Sequence, residues 1–364
     1  MSNWIDSAIG HAVTRVHGIA SVVTAFPHIT ERHEWRTTPD GVWTGGFWAG
    51  LLWLSYERTR DEKTLELAVS YTDRLLPRVN DTHNHDLGFM FFPSAIEGWK
   101  VTGATNYRDA ALQAARSLAG QFNQEAGFIP GWGFFGGADW SGSVLIDTLM
   151  NLPLLVWAVQ QGADPSLMTV VQRHTATALA YHLRADGSVF HVYKFDPATG
   201  KPLGGDTYQG LAPDSSWARG QSWAITGLAN LAAMTGNDEY LQASQRVADY
   251  FMSKLPADGV PPWDFMADGP AEPKDASASA IASYGLLKLH RITGEHRHLE
   301  RATRLLEALA TSCGNRSGEG GEGGVLLHST ADLPHRLGID ESTMYGDYYY
   351  LKSLMALKRV SGHA

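Results

Sequence analysis

Cysteine is almost absent from this chain of 364 residues, which contains only Cys313. No disulfide can form within the chain, and a zinc site built from several cysteines is excluded. Charged residues make up only 18% of the sequence, and the net charge of −9 argues against a nucleic-acid-binding surface. The same net charge repels anionic ligands at long range, so an acidic ligand would need cations inside its pocket.

Long apolar runs are also missing. The most apolar stretch, residues 144–159, is too short to cross a bilayer and contains Asp147. The N-terminus lacks the basic segment followed by an apolar run that marks a secretory signal. We therefore expect no membrane partner and a cytoplasmic location.

Aromatic residues are plentiful, with 12 Trp, 13 Tyr and 13 Phe. Many of these rings are expected to pack in the core. The flat face of an indole also matches the C–H face of a pyranose, so some of them are candidates for sugar stacking.

Helical periodicity recurs along the chain, and no convincing run of alternating strand residues is found. Thr-Gly pairs at 102–103, 235–236 and 293–294 each precede an amphipathic stretch, as expected when glycine ends one helix and the next begins. About twelve helices are predicted, at 4–25, 46–59, 62–77, 89–102, 105–122, 143–160, 165–183, 216–235, 237–255, 275–293, 296–312 and 342–361.

Short turns alternate with long Gly-, Pro- and Trp-rich loops between these helices. This alternation predicts six helical hairpins closed into a ring, an all-α (α/α)6 barrel formed by one domain over 1–364. The even-numbered helices would lie inside, and the long loops would gather at one end as the rim of a pocket.

Asp147 lies in a segment that is apolar on nearly every side, so its carboxyl should be buried. Burial raises the pKa of a carboxyl, which suits a general acid near neutral pH. The alternative is a structural aspartate bonded to the backbone or to Asn151, four residues on. Pro153 predicts a kink or a later helix start.

Asp86 precedes a predicted inner helix and could complete an acid/base pair with Asp147. Alternatively it caps the helix that begins near Phe89, and both roles are compatible.

The segment 217–223 places Arg219 and Trp223 on one helical face. Arg219 could bind a carboxylate through two parallel hydrogen bonds, or it could form a structural salt bridge. His191 and Gln209 lie upstream in a polar loop. No His, Asp or Glu cluster has the spacing of a metal site, and neither a phosphate loop nor a serine-nucleophile motif is present.

Taken together, five ordered segments resemble the unsaturated glucuronyl hydrolase family. These segments are Trp-Thr-Gly-Gly-Phe at 43–47, His-Asp-Leu-Gly-Phe at 85–89, Ile-Asp-Thr-Leu-Met-Asn-Leu-Pro-Leu-Leu at 146–155, Trp-Ala-Arg-Gly-Gln-Ser-Trp at 217–223 and Tyr-Gly-Asp-Tyr-Tyr at 345–349. The resemblance covers nearly the whole chain. The related unsaturated rhamnogalacturonyl hydrolases share the fold and both aspartates, but the fourth segment favours the glucuronyl branch.

The resemblance implies a glycoside hydrolase that acts on fragments released by polysaccharide lyases. Such an enzyme hydrates the C4=C5 double bond of the non-reducing-end unsaturated uronic acid, after which the glycosidic bond breaks. Asp147 would protonate C4 and assist water addition, and Asp86 would position the sugar and tune Asp147. Polar substrate contacts are expected from His191, Gln209 and Arg219, and stacking walls from Trp43, Trp132 and Trp223.

The same resemblance requires no cofactor and no metal. The expected partner is a small unsaturated uronic-acid oligosaccharide, a disaccharide or slightly longer, bound by a monomer or a homodimer.

Two departures from the family pattern affect substrate contacts. Gly45 replaces a polar residue, so one sugar contact is expected to be missing. The loop 331–337 lacks the Ser-x-x-Ser-x-Lys pattern of relatives that accept sulfated fragments. Asp332 would disfavour an anionic group while Arg336 would partly compensate, so weak activity on heavily sulfated disaccharides is expected.

Two further interpretations use the same residues. An ordinary inverting glycosidase would place a water between its two carboxylates and attack the anomeric carbon. A non-catalytic sugar-binding protein would retain the stacking surfaces and have an inert Asp147.

Overall fold

The computed structural model describes residues 2–131, 140–269, 271–316 and 323–362. Its helices are α1 (Ser2–Val22), α2 (Gly45–Thr59), α3 (Glu62–Leu75), α4 (Leu87–Phe91), α5 (Glu97–Thr102), α6 (Thr105–Ala119), α7 (Pro153–Gln160), α8 (Leu167–Thr177), α9 (Ala218–Thr235), α10 (Asp238–Lys254), α11 (Ala276–Thr293), α12 (His296–Ser312) and α13 (Met344–Ser361). Its strands are β1 (Phe26–Glu31), β2 (Glu34–Thr38), β3 (Ser143–Leu145), β4 (Val192–Phe195) and β5 (Pro202–Asp206). In the described ranges, no helix is both long and apolar enough to cross a membrane.

The helices form two concentric rings. In the inner ring, α2 packs near α4 and α5, followed by α7, α9, α11 and α13, and α13 closes the ring against α2. The outer helices α1, α3, α6, α8, α10 and α12 each pack against inner neighbours. The predicted (α/α)6 barrel is therefore confirmed.

Glycine ends three of the inner helices as predicted. Gly103, Gly236 and Gly294 adopt left-handed backbone conformations with φ of 72°, 70° and 72°. Each of them donates its backbone N–H to a carbonyl in the last turn of its helix, which satisfies one of the unpaired carbonyls there.

The predicted fourth and sixth helices are interrupted. Residues 92–96 form a π-helical turn between α4 and α5, with Pro93 in it. The predicted helix 143–160 is instead β3, a 3₁₀ turn at 146–150, and then α7, which begins at Pro153. Proline suits this first position because its missing N–H has no helical acceptor there.

Short strands were not predicted by the sequence. β1 pairs antiparallel with β2, and β3, β4 and β5 form an antiparallel sheet in that order. Each strand has six residues or fewer, too few to show a clear alternation of buried and exposed side chains.

The N-terminal ends of the inner helices meet at one end of the barrel. Trp43, just before α2, stacks on Tyr345 in the first turn of α13, and Asn151, just before α7, bonds to Asp86, just before α4. At the start of α9, Arg219 pairs with Asp275, the N-cap of α11. The positive ends of the helix dipoles therefore converge on this end, where they favour an anionic ligand despite the negative net charge.

Candidate active site

Two aspartates, the buried Asp86 and the partly buried Asp147, lie side by side where these helix ends converge. His85 stands beside both, its Nε2 lying 3.4 Å from Oδ1 of Asp86 and 3.8 Å from Oδ1 of Asp147. One potential ligand atom from each of the three residues lies within 4.8 Å of the others. The structure thus places the two aspartates of the predicted acid/base pair close together, with His85 beside them.

Asn151 holds the first aspartate in place. Its Nδ2 donates to Oδ1 of Asp86 over 3.1 Å, and its Oδ1 accepts the backbone N–H of Phe89 at 2.7 Å. Asn151 therefore supplies the side-chain oxygen to the first turn of α4 that a capping residue would provide. Asp86 occupies the N-cap position without making a side-chain capping bond, so its carboxylate is available to the site.

Gly88 permits the close approach of these two segments. A Cβ atom at Gly88 would lie 2.4 Å from Cα and 2.6 Å from the carbonyl oxygen of Asn151. Any larger residue would separate Asn151 from Asp86, so the glycine of the second motif has a steric role.

Asp147 is held by the small sheet. Ile146 donates its N–H to the carbonyl oxygen of His191 over 3.0 Å, which joins the 3₁₀ turn to the start of β4. Oδ1 of Asp147 is buried and accepts no hydrogen bond from the described part of the chain. The Asp147 side chain is 14% exposed against 6% for Asp86, so Asp147 is the more accessible of the two.

Burial dominates the electrostatics of this pair. It raises the pKa of Asp147 to about 7, a shift that His85 opposes and the neighbouring Asp86 reinforces. Burial also raises the pKa of Asp86 to about 7, opposed by the hydrogen bond from Asn151. Burial lowers the pKa of His85 and outweighs the opposing charge of Asp147, so a charged imidazole is disfavoured beside the pair.

His191 lies on the neighbouring wall. Its ring packs against Trp217 with centroids 4.4 Å apart, and Nδ1 lies 3.2 Å from Oγ1 of Thr207. Gln209 donates its backbone N–H to the same Nδ1 over 3.3 Å and its side-chain Nε2 to the carbonyl of Ala331. Burial and the charge of Arg219 hold the pKa of His191 well below its usual range.

Arg219 is only 1% exposed and belongs to a buried ion pair. Its Nη1 lies 2.8 Å from Oδ2 of Asp275 and 2.6 Å from the carbonyl oxygen of Thr330, and its Nη2 donates to the carbonyl of Ala331. These contacts match the structural salt bridge considered above. Bidentate binding of a substrate carboxylate would require Arg219 to leave Asp275. We therefore expect Arg219 to hold Asp275 and the backbone of residues 330–331 in place.

Aromatic rings form one wall. Trp43 is partly buried and stacks on Tyr345, with centroids 5.2 Å apart and planes 19° apart. Phe89 packs 5.7 Å from Trp43 and 4.9 Å from Trp223. Because Trp223 is 1% exposed, its ring supports this wall from within, which corrects the expectation that it stacks on a sugar directly. Trp132 lies outside the described residues.

The loop 331–337 lies beside Gln209 and Arg219, since both donate to the carbonyl oxygen of Ala331. Asp332 accepts hydrogen bonds from the backbone N–H of His335 at 3.2 Å and pairs with its Nδ1 at 2.8 Å. The His335 ring stacks on Tyr208, with centroids 4.1 Å apart. The Asp332 carboxylate therefore makes its contacts within its own loop, whereas the Arg336 side chain is exposed to solvent.

Gly45 does not face the pocket. A Cβ there would lie 3.0 Å from side-chain atoms of both Leu75 and Phe26. A polar residue at this position would therefore point toward α3 and β1, which corrects the expectation that the glycine removes a sugar contact.

The trio of His85, Asp86 and Asp147 also has the residue types of a three-ligand metal site. A bound cation would strongly lower the pKa of both carboxyls, whereas their present surroundings raise it. The donor set thus suits proton transfer or metal binding but not both at once.

Comparison with known proteins identifies the family to which this site belongs. The sequence profile of Glycosyl Hydrolase Family 88 matches residues 15–352. The chain belongs to glycosyl hydrolase family 88. It is 36% identical to the unsaturated glucuronyl hydrolase of Bacillus sp. (strain GL1) over 350 residues, which cover 93% of this chain and 92% of that protein.

Solved structures agree with this assignment. An unsaturated glucuronyl hydrolase from Bacillus sp. GL1, described as responsible for the degradation of glycosaminoglycan, aligns with a TM-score of 0.93 at 34% identity, covering 98% of this chain and 97% of that one. A Streptococcus agalactiae unsaturated glucuronyl hydrolase variant in complex with dGlcA-GalNAc6S aligns with a TM-score of 0.83 at 29% identity, covering 97% and 90%. The glycosidase class and fold expected from the sequence are confirmed, as is an oligosaccharide as the type of ligand.

The sequence did not single out several residues that complete the site. His85 and Phe89 appear in the second motif and Tyr345 in the fifth, yet none was given a role. Their motif positions were the available signal. Tyr208 carried no comparable signal, because its contact with His335 joins loops more than a hundred residues apart.

Proposed function

We propose that Asp147 is the proton donor of a hydration reaction at the C4=C5 bond of a terminal unsaturated uronic acid. Asp147 gives its proton to C4, and a water molecule that it then deprotonates adds at C5. The resulting C5 hemiketal opens to a ketone, which breaks the ring. C1 is left as a hemiacetal that collapses to an aldehyde and releases the shortened saccharide, with one water consumed overall.

The observation that carries this proposal is the difference between the two aspartates. Asp86 accepts a hydrogen bond from Asn151, which stabilises its charged form. Oδ1 of Asp147 has no such donor among the described residues, and its side chain is the more exposed. We infer that the shared proton resides preferentially on Asp147, next to the pocket, where burial, reinforced by the charge of Asp86, raises its pKa.

The short separation also bears on the alternative reaction. Inverting glycosidases hold their carboxyl groups about 6.5–9.5 Å apart so that a water fits between them. Here the closest approach of Asp86 and Asp147 is within 4.8 Å. This spacing favours one proton shared by a pair over an acid and a base on opposite sides of an anomeric carbon.

For the substrate-binding residues we propose direct polar contacts from His191 and Gln209 and stacking on Trp43. Arg219 acts as a positioning residue that fixes the 330–331 backbone beside Gln209. Trp132 remains a proposed stacking residue from the sequence alone. A cytoplasmic location and a monomeric or homodimeric state also stay predictions.

The deciding experiment follows ultraviolet absorbance of the conjugated double bond with lyase-generated disaccharides. The panel includes glycosaminoglycan, gellan, xanthan, ulvan and rhamnogalacturonan products. Hydration abolishes the absorbance as the glycosidic bond breaks. Bond cleavage with the absorbance retained identifies an ordinary glycosidase, and binding with neither change identifies a sugar-binding protein. Preference for the rhamnogalacturonan product identifies the sister activity.

Asp147→Asn provides the matched control, since it keeps the shape of the side chain but carries no transferable acid proton. We expect the loss of turnover by at least the ~10²–10⁴-fold typical of a general acid, with substrate binding retained. Turnover close to that of the wild type in Asp147→Asn would remove the proposed mechanism.

A further inference from the structure

A second cavity of about 860 Å³ occupies the opposite half of the barrel interior. Gly88, Phe89 and Met150, which lie two or three residues along the chain from Asp86 or Asp147, contribute to its lining. It extends along the later turns of the inner helices as far as Glu57 and Arg359. His85, Asp86 and Asp147 are not among the described residues that line this rear cavity.

The lining of the rear cavity carries an excess of positive charge. Its charged residues are Lys100, Lys288, Arg291, Lys352, Arg359, Glu57 and Glu97. The two glutamates are paired, Glu57 with Arg359 at 2.6 Å and Glu97 with Lys100 at 2.9 Å. In the described ranges, no carboxylate lies within 4.0 Å of the remaining three cations. A concentration of cations in a protein with a net charge of −9 calls for a physical reason.

Lys352 is the innermost of the three. Its Nζ donates to the Tyr348 hydroxyl over 2.7 Å and lies 4.8 Å from the ring centroids of both Tyr284 and Tyr348. Lys288 lies over the same Tyr284 ring at 5.3 Å, so one aromatic ring faces two ammonium groups. Burial lowers the pKa of Lys352 to about 8 and outweighs the opposing charge of Glu97, so Glu97 only partly compensates this ammonium group.

Helix dipoles explain only part of this pattern. The inner helices end at this side of the barrel, and cations in a last turn are stabilised by the negative ends of helix dipoles. Lys100, Arg291 and Arg359 lie in such positions. Lys352 lies more than two turns before Ser361, the end of α13, where the dipole effect has decayed.

We propose that the rear cavity is a binding site for a small anion bearing carboxylate or phosphate oxygens, with Lys352 as its principal ligand. Lys288 and Arg291 line the same space and add to the attraction. Apolar lining from Met234 and Met355 leaves room for a short carbon skeleton beside the charged group. The inference is independent of the proposed reaction, since it uses other residues at the other end of the barrel.

Calorimetric titration with inorganic phosphate, and separately with citrate, tests the proposal at constant ionic strength. We expect saturable binding of at least one probe, weakened at least tenfold in Lys352→Met and restored in Lys352→Arg. Phosphate binding alone indicates a phosphate ligand, and citrate binding alone a carboxylate ligand. Lys201→Met, which removes the same charge from an exposed position, should bind like the wild type.

Turnover and thermal unfolding complete the experiment. Lys352→Met should retain the wild-type kcat. Lys352→Arg keeps the positive charge, so restored binding in this variant shows that the loss in Lys352→Met is not a general folding defect. Binding that is unaffected by Lys352→Met would overturn the proposal, because it would place the anion elsewhere, including at the aspartate pair. Absence of saturable binding by both probes would overturn it equally.

Discussion

Asn151 joins the two catalytic segments through Asp86, donating from Nδ2 to Oδ1 of the aspartate over 3.1 Å. Its Oδ1 accepts the backbone N–H of Phe89 at 2.7 Å. One amide thus stabilises the ionised form of Asp86 and completes the first turn of α4. Because both contacts are buried, removal of either leaves a polar group without compensation.

Asn151→Ala should therefore lower both activity and stability. We expect kcat to fall about 10–100-fold, with KM much less affected. The reason is that the hydrogen bond that positions Asp86, with a contribution of ~1–3 kcal/mol, is lost. The unfolding free energy should drop by about 1–3 kcal/mol because the Phe89 N–H loses its acceptor. Steady-state kinetics and urea unfolding measure the two effects.

Asn151→Asp separates these roles. Aspartate keeps an oxygen for Phe89 but cannot donate to Asp86 unless it is itself protonated. Stability should remain closer to that of the wild type than in Asn151→Ala, while the acid limb of the kcat profile moves to higher pH. An unchanged kcat in both variants would contradict the role assigned to Asn151.

The pH dependence of kcat follows from the shared proton. Asp147 must be protonated, so activity is lost as pH rises through its pKa; Asp86 must be ionised, so activity is lost as pH falls through its pKa. Burial raises both values to about 7, and coupling splits them into one apparent value below and one above this. We expect a bell-shaped profile with its maximum near neutrality.

Asp86→Asn tests the coupling. The negative charge of Asp86 raises the pKa of Asp147, so its removal should move the alkaline limb of the residual activity to lower pH. The residual kcat should be severely reduced, because the sugar and Asp147 lose their ionised neighbour. An alkaline limb that stays at its wild-type position would show that the two carboxyls do not interact.

The sequence anticipated the ring architecture because its signals are local. Amphipathic periods recur along the chain, and glycine stops at Gly103, Gly236 and Gly294 mark the ends of three inner helices. The same locality explains the errors. The segment before Pro153 is apolar on nearly every side, so its period could not distinguish a helix from a strand followed by a turn.

The candidate site was less predictable where contacts cross between distant segments. Motif order identified Asp86 and Asp147, yet periodicity could not reveal that Asn151 bonds to Asp86, 65 residues away. The acceptors of Arg219 likewise come from α11 and a loop more than a hundred residues further on. The residue type of Arg219 therefore suggested a ligand-binding cation, because the sequence does not show the buried acceptors that occupy its guanidinium group.

Acid stability provides a separate prediction at His174. Its Nδ1 accepts the backbone N–H of Ile129 over 3.1 Å, and burial lowers the pKa of His174 to about 3. The pKa of His174 is lower in the folded state than in the unfolded state. The contribution of neutral His174 to the unfolding free energy is therefore complete above about pH 6.5 and is lost as pH falls. At pH 5 this histidine alone should cost about 2 kcal/mol relative to neutral pH.

His174→Asn keeps a polar group that can accept from Ile129 but does not titrate. Its unfolding free energy should fall less steeply between pH 6.5 and pH 4 than that of the wild type, as followed by urea unfolding. His83→Asn alters an exposed histidine and should leave the slope unchanged. Equal slopes in His174→Asn and the wild type would mean that His174 is protonated in the folded state.

We predict that the loop carrying Asp332 limits the tolerance of the site for sulfate. Its carboxylate pairs with His335, which in turn stacks on Tyr208, so the loop offers a sulfate only the exposed Arg336 as an uncommitted cation. We expect kcat/KM for a 6-sulfated chondroitin disaccharide to be about tenfold or more below that for its unsulfated counterpart, equivalent to ~1.4 kcal/mol of differential transition-state binding.

Two variants assign this discrimination to individual charges. Asp332→Asn keeps an acceptor for the His335 N–H while removing the negative charge, so the ratio of sulfated to unsulfated kcat/KM should rise. Arg336→Met removes the loop's exposed cation and should lower the same ratio. Comparable turnover of both disaccharides by the wild type, or ratios that neither variant changes, would show that groups outside this loop determine sulfate tolerance.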